Sequence, residues 1–322
     1  MNQRAAVIDV ERIRREVEGM DFTGVMEAAF LRYSRGEAIV PPVGELLFAD
    51  PPGEVHIKYG YVMGDRHYVV KIASGFPGNA VRELPASDGL MLLFDRETGA
   101  LVALLHDRGL LTDVRTAAAG AVAAKHLAPK EVERIGIIGT GVQARLQALA
   151  LKTVTSCRDL MVWGRRPEAV AEYCDDMQTV GFQPAVASDA AELAASCQLI
   201  VTATAAHEPV LAGVHLKPGT HVTAMGSDTL DKRELDTESM RRADVVVADS
   251  RSQALVRGEI AHALREGAVA EKDVVELGQV ISGELPGRTS QLQITVADLT
   301  GVAVQDCAIA NAVYEKISAA QV

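Results

Sequence analysis

The chain has 322 residues, a formal net charge of −11 and 48% apolar residues. It is too long for one compact core and apolar enough to fill two, which excludes disorder and predicts two domains. The acidic balance argues against a general nucleic-acid or anionic-membrane surface, and no apolar run approaches the ~20 residues that span a bilayer.

In chain order, Asp21 is placed to cap a helix whose apolar stripe is Val25, Met26, Ala29, Phe30 and Tyr33, ended at Gly36. Four strand-like runs follow as two hairpins. Residues 55–62 and 67–73 flank a Gly64-Asp65 turn, where glycine at the first central position suits type II′. Residues 90–94 and 100–106 flank the longer loop Asp95-Arg-Glu-Thr-Gly99. The two-residue turn pairs Met63 with Arg66 and so sets Lys58 directly across from Lys71 on one face. Like charges so placed repel. Solvent, a carboxylate or an anionic ligand must compensate, unless a one-residue slip of register parts them.

Leu111-Thr-Asp-Val-Arg115 opens an alanine-rich helix with Thr112 as the expected N-cap, so Arg115 falls in the first turn. A cation there opposes the helix dipole. An anion held by both the helix N-terminus and the guanidinium would account for it, as would an ordinary ion pair.

Arg134-Ile-Gly-Ile-Ile-Gly-Thr-Gly-Val-Gln-Ala144 reads as strand, glycine turn and helix, and residues 160–163 close a βαβ unit. Gly139 permits the turn, Gly141 lets the backbone approach a pyrophosphate, and Ala144 lets the helix pack on the strand. Thr140, Val142 and Gln143 complete a backbone cradle at the positive end of the helix. The second strand ends in Val162-Trp-Gly-Arg-Arg-Pro167, without the acid that would repel a 2′-phosphate. Gly164 leaves room there, and Arg165 or Arg166 offers a donor fork, so NADP(H) is favoured over NAD(H); two solvated loop arginines are the alternative.

Pro167 opens a further helix, and Asp189 with Glu192 opens another at capping-box spacing. Residues 184–187, 198–204, 221–226 and 244–248 are strands. The alternation predicts an α/β, doubly wound Rossmann domain over 129–291. Residues 1–128 and 292–322 are assigned to an α+β domain, with a strand at 292–296 and a helix at 302–317 returning to the hairpins. Asp228 lies beyond a strand's carboxyl end, where it could handle protons on an amine or cap the next helix. Lys232 could pair with Asp228 or reach cofactor phosphate. Thr202, Thr204, Thr300 and Gly301 are further cofactor candidates at strand ends, and Asp298 either borders the nicotinamide or forms a turn. Four scattered cysteines (Cys157, Cys174, Cys197, Cys307) and a start with no h-region and cleavage site predict reduced thiols, no metal site and a cytoplasmic location.

Together these segments resemble the ornithine cyclodeaminase and μ-crystallin family. The match runs through Pro41-Pro42, Val69-Val-Lys-Ile-Ala-Ser-Gly-Phe76, Phe94-Asp-Arg-Glu-Thr-Gly99, Leu111-Thr-Asp-Val-Arg-Thr-Ala117, the glycine turn, Gly226-Ser-Asp228 and Thr300-Gly-Val-Ala-Val-Gln-Asp306. The resemblance implies a homodimer formed through the substrate-binding domain, with Lys71 and Arg115 gripping a substrate carboxylate and Asp228 acting at the substrate amine. Many members carry an arginine after the Pro-Pro pair, where this chain has Val43; Lys58 could supply that cation. The implied chemistry is hydride transfer at Cα of an α-amino or α-imino acid, foremost cyclodeamination of L-ornithine to L-proline and ammonia with Asp228 and Lys71 as catalytic groups. A reductase of pyrroline-2-carboxylate or an iminodicarboxylate is the alternative. A non-catalytic binder like μ-crystallin is a third class, opposed by the joint presence of Lys71, Arg115 and Asp228.

Overall fold

Residues 4–320 are described by the computed structural model. The chain divides into two units, one running up to Arg115 and resuming at Val302, the other spanning Thr116–Gly301. Both boundaries differ from the expected ones: 116–128 and 292–301 belong to the second unit rather than the first.

The first unit is built on a seven-stranded sheet. Its strands are β1 (Ala6–Asp9), β2 (Ala38–Ile39), β3 (Gly44–Ala49), β4 (Pro52–Val62), β5 (His67–Gly75), β6 (Ser87–Asp95) and β7 (Leu101–His106). They lie in the order β1-β7-β6-β5-β4-β2, with β3 also on β4. The hairpin register is the expected one, Lys58 facing Lys71, but the connection is not the expected two-residue Gly64-Asp65 loop: it spans 63–66, Asp65 N donates to Val62 O at 3.1 Å, and Gly64 at φ +87° takes the third position of that turn. One face, carrying Val62, Val69, Met91 and Leu93, is buried beside the helices Phe22–Ser34 and Ala303–Ala319. Asp21 caps the first of these by accepting from Gly24 N at 2.9 Å. The sequence did not announce β1, β2 or β3: β1 pairs with β7, far along the chain, β2 is a two-residue piece on β4, and β3 is an exposed strand hairpinned to β4.

The second unit carries eight parallel strands: β8 (Ile135–Ile138), β9 (Asp159–Trp163), β10 (Gln183–Val186), β11 (Leu199–Thr202), β12 (His221–Ala224), β13 (Val245–Ala248), β14 (Val274–Glu276) and β15 (Thr295–Asp298). Their order is β10-β9-β8-β11-β12-β15-β13-β14, so the strand order reverses between β8 and β11. The strand expected at 292–296 is β15, and it inserts between β12 and β13 instead of joining the hairpin sheet. All four of its residues are buried. A short run buried on both faces needs strands on either side, which the middle of a parallel sheet provides.

The helix Leu110–Leu127 starts in the first unit and continues in the second. Its later half, rich in alanine, joins the second core: a Cβ on Gly120 would strike Gln147 Oε1, and Gln147 donates to Thr116 O at 3.0 Å. That close packing explains why the boundary falls at Arg115. Among the described residues no helix is long and apolar enough to cross a membrane, and no cluster of His, Cys, Asp and Glu is arranged to hold a metal.

Candidate functional site

In the second unit the glycine turn follows β8 at the point where strand order reverses, the edge at which such sheets take ligands. Gly139 sits at φ +121°, its N–H bonded to Trp163 O at 2.9 Å, and a Cβ there would meet Ala203 O at 2.6 Å. Only glycine fits. Gly141 is the N-cap of the helix Val142–Leu151, with no side-chain cap, and a Cβ on it would meet nothing within 4 Å. Open space before an uncapped helix N-terminus suits a pyrophosphate bound by backbone N–H groups, those of Val142 and Gln143 among them. Arg165 and Arg166 are exposed just past β9, which pairs with β8 as Trp163 against Ile138. Gly164 has a packing reason of its own. A Cβ there would press on Thr140 Cγ2 at 2.9 Å and Val170 Cγ2 at 3.2 Å, so its smallness lets β9 close on the turn.

The other cofactor candidates at this edge are held by buried carboxylates that the sequence did not reveal. Glu234 accepts from Thr202 Oγ1 (2.7 Å), Thr204 N (2.6 Å), Thr204 Oγ1 (2.8 Å) and Gly226 N (2.8 Å). Asp249 accepts from Gly301 N at 2.7 Å and from Thr300. Asp298, the last residue of β15, accepts from Ile260 N at 2.8 Å, and Glu259 from Glu234 N at 2.7 Å. Thr202 and Thr204 thus give their hydroxyls to Glu234. Burial pushes the Glu234 carboxyl up, that of Glu259 to about 7, and that of Asp298 well above the carboxylate range. Asp228 lies on the loop after β12, and no helix starts there: the next one is Thr237–Arg241, capped by Asp236. The capping role for Asp228 therefore falls. Its Oδ1 accepts from Lys232 Nζ at 2.8 Å, the ion pair that was one of the two roles expected for Lys232.

The first unit brings Lys58, Lys71 and Arg115 together on one buried carboxylate, Asp306. Lys71 Nζ and Arg115 Nε each lie 3.2 Å from Asp306 Oδ1, and Arg115 Nη1 donates to Gln305 Oε1 at 3.0 Å. Lys58, Lys71, Arg115 and Asp306 are all at most 6% exposed. Thr112 is also in this unit, inside the helix and not at its cap. The helix begins earlier, at Leu110, because Gly109 at φ +86° turns the chain and Asp107 Oδ2 accepts from Leu111 N at 2.8 Å. Arg115 is consequently in the second turn.

Electrostatics in the cluster follow from burial. Desolvation pulls the Lys71 ammonium down to about 7, with Asp306 opposing that fall and Arg115 and Lys58 adding to it. Desolvation pushes Asp306 up, but Lys71, Arg115 and Lys58 outweigh it and hold the carboxyl below its ordinary range. Burial also raises the Asp107 carboxyl. A guanidinium and an ammonium converging on one carboxylate in a buried place form a site that a further anionic group can join. Asp306 and Gln305 carried a signal that spacing alone did not decode: an acid and an amide inside the buried stretch Ala303–Cys307 that opens the helix.

The family model described as "Ornithine cyclodeaminase/mu-crystallin family" matches residues 3–321. A relative in Sinorhizobium fredii, named an uncharacterized cyclodeaminase, is 41% identical over 94% of this chain and 93% of its own length. The alanine dehydrogenase of Archaeoglobus fulgidus is 35% identical over 96% of this chain and 94% of its own. Among solved structures, the Thermococcus litoralis Δ1-pyrroline-2-carboxylate reductase in complex with NADH and L-proline superposes with a TM-score of 0.92 at 30% identity, covering 98% of each chain.

Proposed function

The chain belongs to the ornithine cyclodeaminase/mu-crystallin family, and we propose that it is an NAD(P)-dependent enzyme acting at Cα of a small α-imino or α-amino acid. The observation that carries this reading is the buried convergence of Lys71 and Arg115 on Asp306, on the sheet face that also carries Lys58. A substrate carboxylate is the anion that cluster suits: a guanidinium fork and two ammonium groups bind it and fix the neighbouring Cα. Bound NAD(P)H supplies the hydride. Lys71, held near neutrality by its burial, is the group able to give a proton to the imine nitrogen on reduction and to take one back in the reverse direction.

Net reduction is the reading we favour. Cyclodeamination would require the substrate's side-chain amine to displace Lys232 from Asp228, an ion pair at 2.8 Å, and net reduction does not. The cyclodeaminase reading is kept as the second because a relative at 41% identity carries that name. We also propose NADP(H) as the tighter cofactor, on the exposed Arg165 and Arg166 and the absence of an acid at the end of β9. The test is a panel of cyclic and linear α-imino acids with NADH and NADPH, run beside L-ornithine. Steady consumption of reduced cofactor with an imino acid is expected. Ammonia release from ornithine without net cofactor change would move the assignment to cyclodeamination, and silence on the whole panel would remove the enzymatic reading.

A further inference from the structure

We propose that Asp306 is a positioning residue for this reaction: it holds the Lys71 ammonium and the Arg115 guanidinium in place and keeps Lys71 protonated between turnovers. The proposal rests on the functional reading above. Its ground is geometric. One carboxylate oxygen lies 3.2 Å from a cation on β5 and 3.2 Å from a cation on the helix Leu110–Leu127, and all three residues are buried. Neither Asp306 oxygen accepts an aligned hydrogen bond, so charge rather than bond direction holds the cluster. One Arg115 N–H goes to Gln305, and the other N–H groups of the guanidinium and the ammonium can take a second carboxylate as well. Asp306 also stands in the first turn of the helix Ala303–Ala319, where the helix dipole favours a carboxylate that stays ionised.

The charged groups facing Lys71 come from every element packed around it: Asp306, Arg115, Lys58 on β4, and Asp107 after β7. Burial, Arg115 and Lys58 all favour the neutral amine, and Asp306 is the main influence in the other direction. Without it, Lys71 would lose its proton at lower pH. An imine reduction that draws its proton from Lys71 would then fail over the neutral range.

The experiment compares wild type, Asp306→Asn and Asp306→Glu in two measurements. The first is kcat/KM against pH for the imino acid that the panel identifies. The second is acylation of the Lys71 amine by acetic anhydride against pH, read by mass spectrometry, which needs no substrate. In Asp306→Asn both the alkaline limb of kcat/KM and the onset of Lys71 acylation are expected about one pH unit or more below wild type, an effect of about tenfold at a fixed neutral pH. Asp306→Glu, which keeps the charge, is expected to follow wild type. A folded Asp306→Asn with both profiles unmoved overturns the proposal. If Asp306→Asn does not fold, Asp306→Ser, the same loss of charge in a smaller side chain, is read in the same two measurements, and unmoved profiles there overturn the proposal. A wild type inert towards every imino acid would sink the functional reading instead, and the acylation profile would still judge Asp306.

Discussion

Lys58 and Lys71 occupy facing positions on adjacent strands, yet their surroundings differ in a way that separates their roles. Lys71 is in direct ion contact with Asp306, and its pKa of about 7 suits proton transfer; Lys58 acts on both through its charge. Lys71→Met is therefore expected to lower kcat/KM by about 10²–10⁴, the usual range for a lost acid–base group. Lys58→Met should mainly raise KM for the substrate and touch kcat less. Steady-state kinetics on both variants decides this, and equal, small effects would reduce the pair to a structural feature. Asp228 is a simpler case because no helix begins at it. Asp228→Asn is expected to keep the wild-type thermal midpoint and nucleotide affinity, and to slow turnover only if the reaction is the cyclodeamination, where the carboxylate acts at the amine. Unchanged turnover would take Asp228 out of the mechanism.

The carboxyl edge of the parallel sheet combines a recognisable motif with a hidden one. The glycine turn and the helix after it, like the caps at Asp21 and Asp189, depend on residues adjacent in sequence and so could be read in advance. Arg165 belongs to the same local class. Its replacement by alanine is expected to erase most of any preference for NADPH over NADH, and rising salt should weaken that preference in wild type because an exposed arginine–phosphate pair is screened. Titration of both cofactors would show it, and tighter NADH binding in wild type would reverse the assignment. The buried acids Glu234, Asp249 and Glu259 tie loops and helix ends together across long sequence separations, and no spacing announces them; Asp298 stood out only as an acid at a strand end, and its bond to Ile260 N was not legible. Glu259 titrates near 7 when folded against an ordinary value of 4.5, chiefly through burial, with the Glu234 charge adding to it. A group whose folded pKa is raised contributes stability that is whole below its unfolded pKa and lost as pH rises through the folded one. Thermal stability should thus fall between about pH 5 and pH 7, by on the order of 3 kcal/mol for Glu259, and the fall should be shallower in Glu259→Gln. Lys71, whose pKa is lowered, acts with the opposite sign above that window. A midpoint that rises from pH 5 to pH 7 would contradict the assignment.

At the scale of the whole molecule, the hairpin sheet of the first unit leaves one face half-covered. Tyr59, Tyr61, Val70 and Ile72 lie on the side away from Lys58 and Lys71, and Tyr68 stacks on Phe94 there at 4.9 Å between ring centroids. A continuous apolar face of this kind is more than a monomer usually exposes, and we propose that a second copy of the chain covers it. Light scattering at micromolar concentration is expected to give the mass of a dimer. A monomer there would exclude this interface, and Tyr59→Glu, which puts a charge on the face, should shift a dimer towards monomer.

What the sequence determined by itself were the features that short-range chemistry dictates: the nucleotide turn, the hairpin register that opposes Lys58 to Lys71, and the presence of two folding units. The register follows because a hairpin with so short a connection admits few pairings, and a one-residue slip would turn the buried alternate residues to the other face. Tertiary structure alone decided three other matters. It moved β15 into the middle of the parallel sheet, where a strand buried on both faces finds two neighbours. It drew the boundary at Arg115, because the alanine-rich half of the helix packs on Gln147. And it placed Asp306 between Lys71 and Arg115, three residues that are 235 and 191 positions apart counted from Asp306. A buried cation must find its compensating charge wherever the fold can bring one, and that choice is made in space rather than along the chain.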